Sequence, residues 1–97
     1  MREDLNLSDA QELKNLFPRE FHAPDKELLD KIAKDDRVQI TVEGEDIWVK
    51  VIGVSDDEIS GLVHGETKKY LLHGVYQNTL LQFEKRHVFK ISKPSRL

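Results

Sequence analysis

The sequence predicts a mainly β fold of the α+β class, in which two short helices precede a small five-stranded barrel. Apolar residues recur at helical spacing before residue 34, and from Val38 onward they alternate with polar residues. Five short strands with tight turns follow, and closure into a barrel leaves no exposed sheet edge. The length of 97 residues fits one domain over 1–97. We expect it to comprise a helical N-terminal extension at 1–34, the barrel at 35–92 and a flexible tail at 93–97.

The N-terminal extension carries two helix start signals. Ser8 followed by Gln11 fits a capping box and predicts a helix over 9–16. A Pro-Asp pair starts a second predicted helix, over 25–33. Helices shorter than about 12–15 residues are marginal in water, so both must pack their apolar stripes on a larger element. These stripes consist of Leu13, Leu16 and Phe17 in the first helix and of Leu28, Leu29 and Ile32 in the second.

The strands follow from residue alternation. Val38, Ile40 and Val42 alternate with polar residues, which predicts a strand with one buried face. The next run, 47–55, is apolar on both faces and predicts a central strand, in which Gly53 marks a bulge. The other three predicted strands contain Ile59, Gly61 and Val63, then Leu81 and Phe83, and finally Phe89 and Ile91.

A few short blocks between residues 21 and 91 form a recognisable pattern. They are Asp35-Asp36, Trp48-Val49-Lys50-Val51, Gly61, His73-Gly74-Val75, Asn78-Thr79 and His87-Val88. This pattern resembles a family of small, largely uncharacterised bacterial domains with an SH3-like barrel. That family has Gly-Asp at the first and fifth blocks, Trp-Val-x-Val at the second and His-Gly-Leu at the fourth. Both turn glycines are replaced here, although Asn78 tolerates left-handed geometry. The resemblance implies an SH3-like barrel and no established chemistry.

Composition excludes several classes of site. The chain has no cysteine, which rules out disulfides, thiolate zinc sites and cysteine nucleophiles. Its N-terminus has two acids among the first four residues and no apolar run, unlike a signal peptide. No stretch approaches the roughly 20 apolar residues of a membrane-spanning helix. We therefore expect a soluble, cytoplasmic protein without a membrane partner.

Signatures of catalysis and metal binding are missing from the sequence. Its four histidines match no metal-ligand spacing. No glycine-rich phosphate loop is present, and no serine lies in a nucleophile motif. We expect no metal, no cofactor, no small-molecule substrate and no enzymatic activity.

Trp48 is the strongest candidate for a binding residue. Alternation turns Trp48 and Lys50 away from the core. An outward tryptophan is either a contact anchor or is covered by one of the two helices. We expect a non-enzymatic module that binds a larger bacterial or phage protein as an adaptor or inhibitor, for example an inhibitor carried by a mobile element. Its predicted protein-binding residues are Trp48, Lys50, Asp56, Asp57, Tyr70 and Tyr76.

An asymmetry of charge supports a second hypothesis, nucleic-acid binding. Residues 1–60 carry 16 acids and 8 bases, a net charge of −8, and residues 61–97 carry 2 acids and 7 bases, a net charge of +5. The two segments either attract each other or form a basic surface for nucleic acid. The candidate phosphate-binding residues are Lys68, Lys69, Lys85, Arg86 and Lys90. A polyanion would be repelled by the acids of the first segment, so protein binding is favoured.

Overall fold

Five antiparallel strands form one sheet in the computed structural model, which describes residues 6–65, 67–68 and 74–93. The elements are α1 (Ala10–Leu16), α2 (Lys26–Asp30), β1 (Arg37–Val42), β2 (Glu45–Ser55), β3 (Glu58–Val63), β4 (Leu80–Glu84), a 3₁₀ helix (Lys85–His87) and β5 (Lys90–Ser92). The mainly β fold with two short helices is therefore confirmed. The strand order is β4-β3-β2-β1-β5. Within the described residues β4 and β5 do not pair, so closure into a barrel is not confirmed.

One face of the sheet, the inner face, forms the core. The alternating residues predicted to point inward are fully buried along β1, as are Val49 and Val51 of β2. Leu29 and Ile32 join the same apolar cluster, so the α2 segment packs on the inner face. The predicted bulge is also present, because the pairing register of β2 with β3 shifts between Val51 and Gly53.

The helix α1 differs from the prediction at its start and on its buried face. Asp9 is the N-cap, since its carboxylate accepts the Glu12 N–H at 3.0 Å. The capping box predicted at Ser8 is wrong. The helix buries Ala10, whereas the predicted stripe leaves Leu16 61% and Phe17 48% exposed. The reason is that α1 packs on the polar 3₁₀ helix and not on the apolar core. Small Ala10 is therefore its buried residue, and the large apolar side chains are left exposed.

The helix α2 begins as predicted and ends earlier. The Asp25 carboxylate accepts the Leu28 N–H at 3.1 Å, which caps the first turn. Only five residues are helical, against nine predicted for 25–33. Of the predicted stripe, Leu29 and Ile32 are buried and Leu28 is exposed. The short helix therefore contributes its apolar residues to the core only at its C-terminal side.

Four described non-glycine residues adopt left-handed backbone geometry, and two of them come shortly before strands β1 and β4. Asp35 before β1 has φ 78° and Asn78 before β4 has φ 70°. Asp and Asn are among the few non-glycine residues that occupy this region readily.

The C-terminal strand β5 is short and follows a buried valine. Val88 is fully buried, whereas Phe89 is only half-buried. Lys93, which begins the predicted tail, donates hydrogen bonds to the Asp36 carboxylate and to the Lys31 carbonyl. Residues 94–97 lie outside the described residues.

Candidate protein-binding site

Side chains from four strands meet on the outer face of the sheet, opposite the core. Directly paired residues of antiparallel strands point to the same face. Lys50 of β2 pairs with Arg37 of β1 and with Leu62 of β3, and Leu62 pairs with Leu80 of β4. In the next row Trp48 pairs with Gln39. The pairing register therefore places Trp48 beside a row of cations and leucines.

We define the outer patch as Trp48, Lys50, Ile52, Leu62 and Leu80. Ile52 follows Lys50 by two positions and is the unpaired residue of the bulge, where the register shifts between Val51 and Gly53. Leu80 is 55% exposed and Ile52 is 41% exposed, whereas Leu62 is half-buried. Three aliphatic side chains thus share this face with Lys50 and Trp48.

Trp48 is half-buried, and its backbone takes part in the pairing of β2 with β3. Its carbonyl accepts the His64 N–H at 2.8 Å, which extends the pairing of β2 with β3 beyond Val63. Trp48, His64, Arg37 and Ser92 together line a shallow pocket of about 200 Å³. Trp48 therefore forms part of the wall of a shallow pocket at this end of the sheet.

The N-terminal segment lies along a different part of the outer face. Leu13 and Phe21 line a cleft of about 550 Å³ with Gln39 and Thr41 of β1 and Lys90 of β5. The segment thus approaches the β1 and β5 side. Since Ile52 and Leu80 remain exposed, the β2 to β4 side is left uncovered.

The other predicted protein-binding residues do not join Trp48 and Lys50. Asp56 and Asp57 form the exposed turn after β2, and eight residues of extended strand separate Asp56 from Trp48 by about 25 Å. Tyr76 is 62% exposed in the segment before β4. Tyr70 lies outside the described residues. The predicted site is therefore divided, and only its strand residues share one surface.

The predicted phosphate-binding residues are also divided. The Lys85 ammonium lies 3.3 Å from the Asp30 carboxylate. Lys90 points outward on β5, where it pairs with Gln39. The Lys68 amide donates to Glu45 at 2.7 Å, and its side chain is exposed. Lys69 lies outside the described residues.

Arg86 is part of an ion-pair network that joins the 3₁₀ helix to α1. Its guanidinium donates to Asp9 at 2.8 Å and to Glu84 at 3.2 Å. Hydrogen bonds from Arg86 lower the pKa of Glu84. Burial raises the pKa of Asp9, but the Glu12 amide and Arg86 outweigh it, so this pKa lies below its ordinary value. The Arg86 guanidinium is therefore already paired with two carboxylates of the same chain.

His87 closes the same network from the buried side. Its Nδ1 atom accepts the Glu84 N–H at 3.0 Å, so the proton of the neutral ring resides on Nε2. Burial lowers the pKa of His87, and the neighbouring Arg86 lowers it further, against the opposing effects of Glu84 and Asp9. The native structure therefore favours the neutral imidazole.

Stability is expected to decrease as the pH falls through the range in which His87 titrates. The unfolded chain binds a proton near pH 6.5, whereas the native chain resists it to lower pH. The stabilisation is complete above about pH 7 and is lost as the pH falls through the native pKa. Urea unfolding between pH 7.5 and pH 5 measures this loss. A His87→Gln variant with an equally steep pH dependence would contradict the assignment to His87.

Sequence reasoning missed four outward residues: Arg37, Ile52, Leu62 and Leu80. Alternation from Trp48 and Lys50 already indicated Ile52. Leu62 and Leu80 are neighbours because of the register between β3 and β4, which pairs positions that are far apart in the chain. No local pattern reports that register.

Three comparisons with known proteins give no further guide. No match for this chain is found among protein families, curated proteins or solved structures. The resemblance to SH3-like bacterial domains therefore stays a prediction.

Across the described ranges, no three His, Cys, Asp or Glu side chains are grouped so that they could hold a metal ion. The same ranges contain no helix of sufficient length and apolarity to cross a membrane.

Proposed function

We propose that this protein is a non-enzymatic protein-binding module, an adaptor or inhibitor, whose outer patch contacts a larger partner protein of bacterial or phage origin. The observation that supports the proposal most strongly is that half-buried Trp48 lies on the same sheet face as exposed Ile52 and Leu80. Tryptophan is enriched among residues that dominate binding energy, especially where surrounding contacts exclude water. The outer patch combines such an anchor with an aliphatic rim.

The finer fold assignment belongs to the same proposal. We propose an SH3-like barrel, in which the sheet curls until its two edge strands, β4 and β5, lie side by side. The β1 pairing with β5 supports this curvature. The left-handed geometry of Asp35 and Asn78 supports it too, because the resembling family has glycine there. Small barrels of this class commonly use an aromatic-lined surface for peptides.

Two substitutions in the outer patch are expected to abolish capture of the partner. Trp48→Ala removes the anchor, and a residue of this kind contributes about 2 kcal/mol or more to binding, roughly a 30-fold change in Kd. Leu80→Asp places a charge in the aliphatic rim. The measurement is affinity capture from host lysate by the immobilised full chain, with the retained protein identified by mass spectrometry and its Kd then measured with the purified protein.

Leu28→Asp is the matched control. Leu28 is 51% exposed and Leu80 is 55% exposed, so both variants carry the same chemical change at similar exposure. Leu28 lies on α2, away from the outer patch. Unchanged thermal unfolding of all three variants shows that they fold. Equal loss of binding with Leu28→Asp, or none with Trp48→Ala and Leu80→Asp, contradicts the proposed site.

Single-stranded nucleic acid is a second candidate ligand, because three cations flank Trp48. Lys90 lies in the same row as Trp48, and Arg37 and Lys50 lie in the adjacent row. Cations with an aromatic platform are the features that single-strand binders use. The net charge of −3 opposes a polyanion. We expect no mobility shift of a labelled oligonucleotide; a salt-sensitive shift that Trp48→Ala abolishes would favour this candidate instead.

A further inference from the structure

We propose that the partner meets the outer patch with an acid-rich protein segment, whose carboxylates pair with a cationic strip formed by Arg37, Lys50 and Lys90. This inference rests on the proposed function and adds the chemistry of the partner. It is carried by the distribution of charge over the outer face. The strip crosses three neighbouring strands, β2, β1 and β5, in the order in which they pair.

The three central rows of the outer face contain cations and no carboxylate among the described residues. The first row joins Lys90, Gln39 and Trp48, and the second joins Ser92, Arg37, Lys50, Leu62 and Leu80. In the third row Gly53 pairs with Ser60 and Ser60 pairs with Gln82, and Ile52 is the unpaired bulge residue next to Gly53. Among the described strand residues of this face, carboxylates occur in the flanking rows, as Asp46 opposite Thr41 and as Glu58 opposite Glu84. Glu20 of the N-terminal segment lines the cleft that also contains Lys90. A chain with a net charge of −3 thus concentrates positive charge here.

The cations of this strip are also weakly engaged within the molecule. In the described part of the chain, Arg37 and Lys90 have no ion-pair partner, and the Lys50 ammonium is 3.9 Å from Asp35 with both side chains more than half exposed. Exposed pairs at such distances contribute little. By contrast, Arg86 and Lys93 make ion pairs with Asp9 and Asp36. Within the described part of the chain, the strip is therefore a cationic surface whose charges make few internal ion pairs.

The geometry around Arg37 suits a peptide that combines a carboxylate with an apolar side chain. Arg37 lines the 200 Å³ pocket together with Trp48. A guanidinium binds a carboxylate through two parallel hydrogen bonds, and the adjacent indole offers an apolar contact. Neighbouring Lys50 and Lys90 strengthen attraction during encounter. An acid-rich segment matches this arrangement, whereas a basic segment would be repelled.

Synthetic peptides test the inference with the full chain. Two sets of short peptides carry the same leucine and tryptophan residues, one set rich in Glu and Asp and the other rich in Lys and Arg. Fluorescence anisotropy is expected to show binding of the acid-rich set, with affinity that falls steeply as salt is raised. The double variant Arg37→Glu, Lys50→Glu is expected to weaken binding by at least about tenfold.

The matched control is the double variant Arg19→Glu, Lys26→Glu, which changes the net charge equally at exposed positions that do not belong to the sheet. It should bind the acid-rich peptides as the unmodified chain does. Preference for the base-rich set, binding of neither set, or stronger binding of an oligonucleotide overturns the inference. If a captured partner protein depends on Trp48 and Leu80 but is indifferent to the reversal of Arg37 and Lys50, the proposed function stands and the acidic partner is wrong.

Discussion

Gly61→Ala is expected to lower the free energy of unfolding by about 2–3 kcal/mol, near the upper end for overpacked cores. Gly61 is buried on the inner face of β3, between Val51 of β2 and Leu81 of β4. A Cβ atom there would lie 2.3 Å from Val49 Cγ1 and 2.7 Å from the Lys50 carbonyl oxygen. The Val49 side chain could move, but the Lys50 carbonyl belongs to the backbone of β2, the central strand of the sheet. Relief therefore requires β2 and β3 to separate.

Gly53→Ala provides the comparison in the same sheet. No atom lies within 4 Å of the corresponding Cβ position at Gly53. Its unfolding free energy is expected to stay within about 1 kcal/mol of the unmodified chain, with a small gain from reduced backbone entropy. Thermal and urea unfolding measure both variants, and Gly61→Ala should lower the Tm by roughly 10–20 °C. Similar stability of the two variants would show that the strands separate at little cost.

Asp36→Ala is expected to cost about 2–3 kcal/mol, the other large effect on stability. The Asp36 side chain is only 5% exposed at the junction between the α2 segment and β1. Its carboxylate accepts the Ala33 N–H at 2.9 Å and also a hydrogen bond from Lys93. Alanine leaves the Ala33 amide without its acceptor and opens space beside the core. Urea unfolding measures the loss.

Two further variants show which part of this contact matters. The Lys93 side chain is 55% exposed, so its ion pair with Asp36 is largely screened by water. Lys93→Ala is therefore expected to lower the free energy of unfolding by less than about 1 kcal/mol. Asp36→Asn keeps an oxygen acceptor for the Ala33 amide and should fall between the two. If Lys93→Ala costs as much as Asp36→Ala, the ion pair rather than the amide contact stabilises the junction.

The strands were predictable because each carries its own signal. Val38, Ile40 and Val42 alternate with polar residues, and the structure buries all three. Gly53 was predicted to mark the bulge, and the register shifts beside it. Both features depend on neighbouring residues in the chain. Residue alternation is sufficient to separate the two faces of a strand.

The helices were predicted less well because their apolar residues depend on what they pack against. Leu16 and Phe17 have helical spacing, yet α1 lies on the 3₁₀ helix and leaves them exposed. The choice of Asp9 over Ser8 as N-cap is consistent with the same contact, since Asp9 also binds Arg86. A cap that serves two partners cannot be identified from local spacing alone.

The amino-acid sequence by itself determined which residues form the strands, which strand faces are apolar and where Trp48 points, because these properties repeat every two residues. Only the tertiary structure decided which cations remain available. Arg86 and Asp9 are 77 positions apart and form an ion pair, whereas Arg37 and Lys90 lie with Lys50 on the outer face. Pairing between distant charges depends on strand register and helix placement. Those are set by packing of the whole chain, which no short stretch of residues encodes.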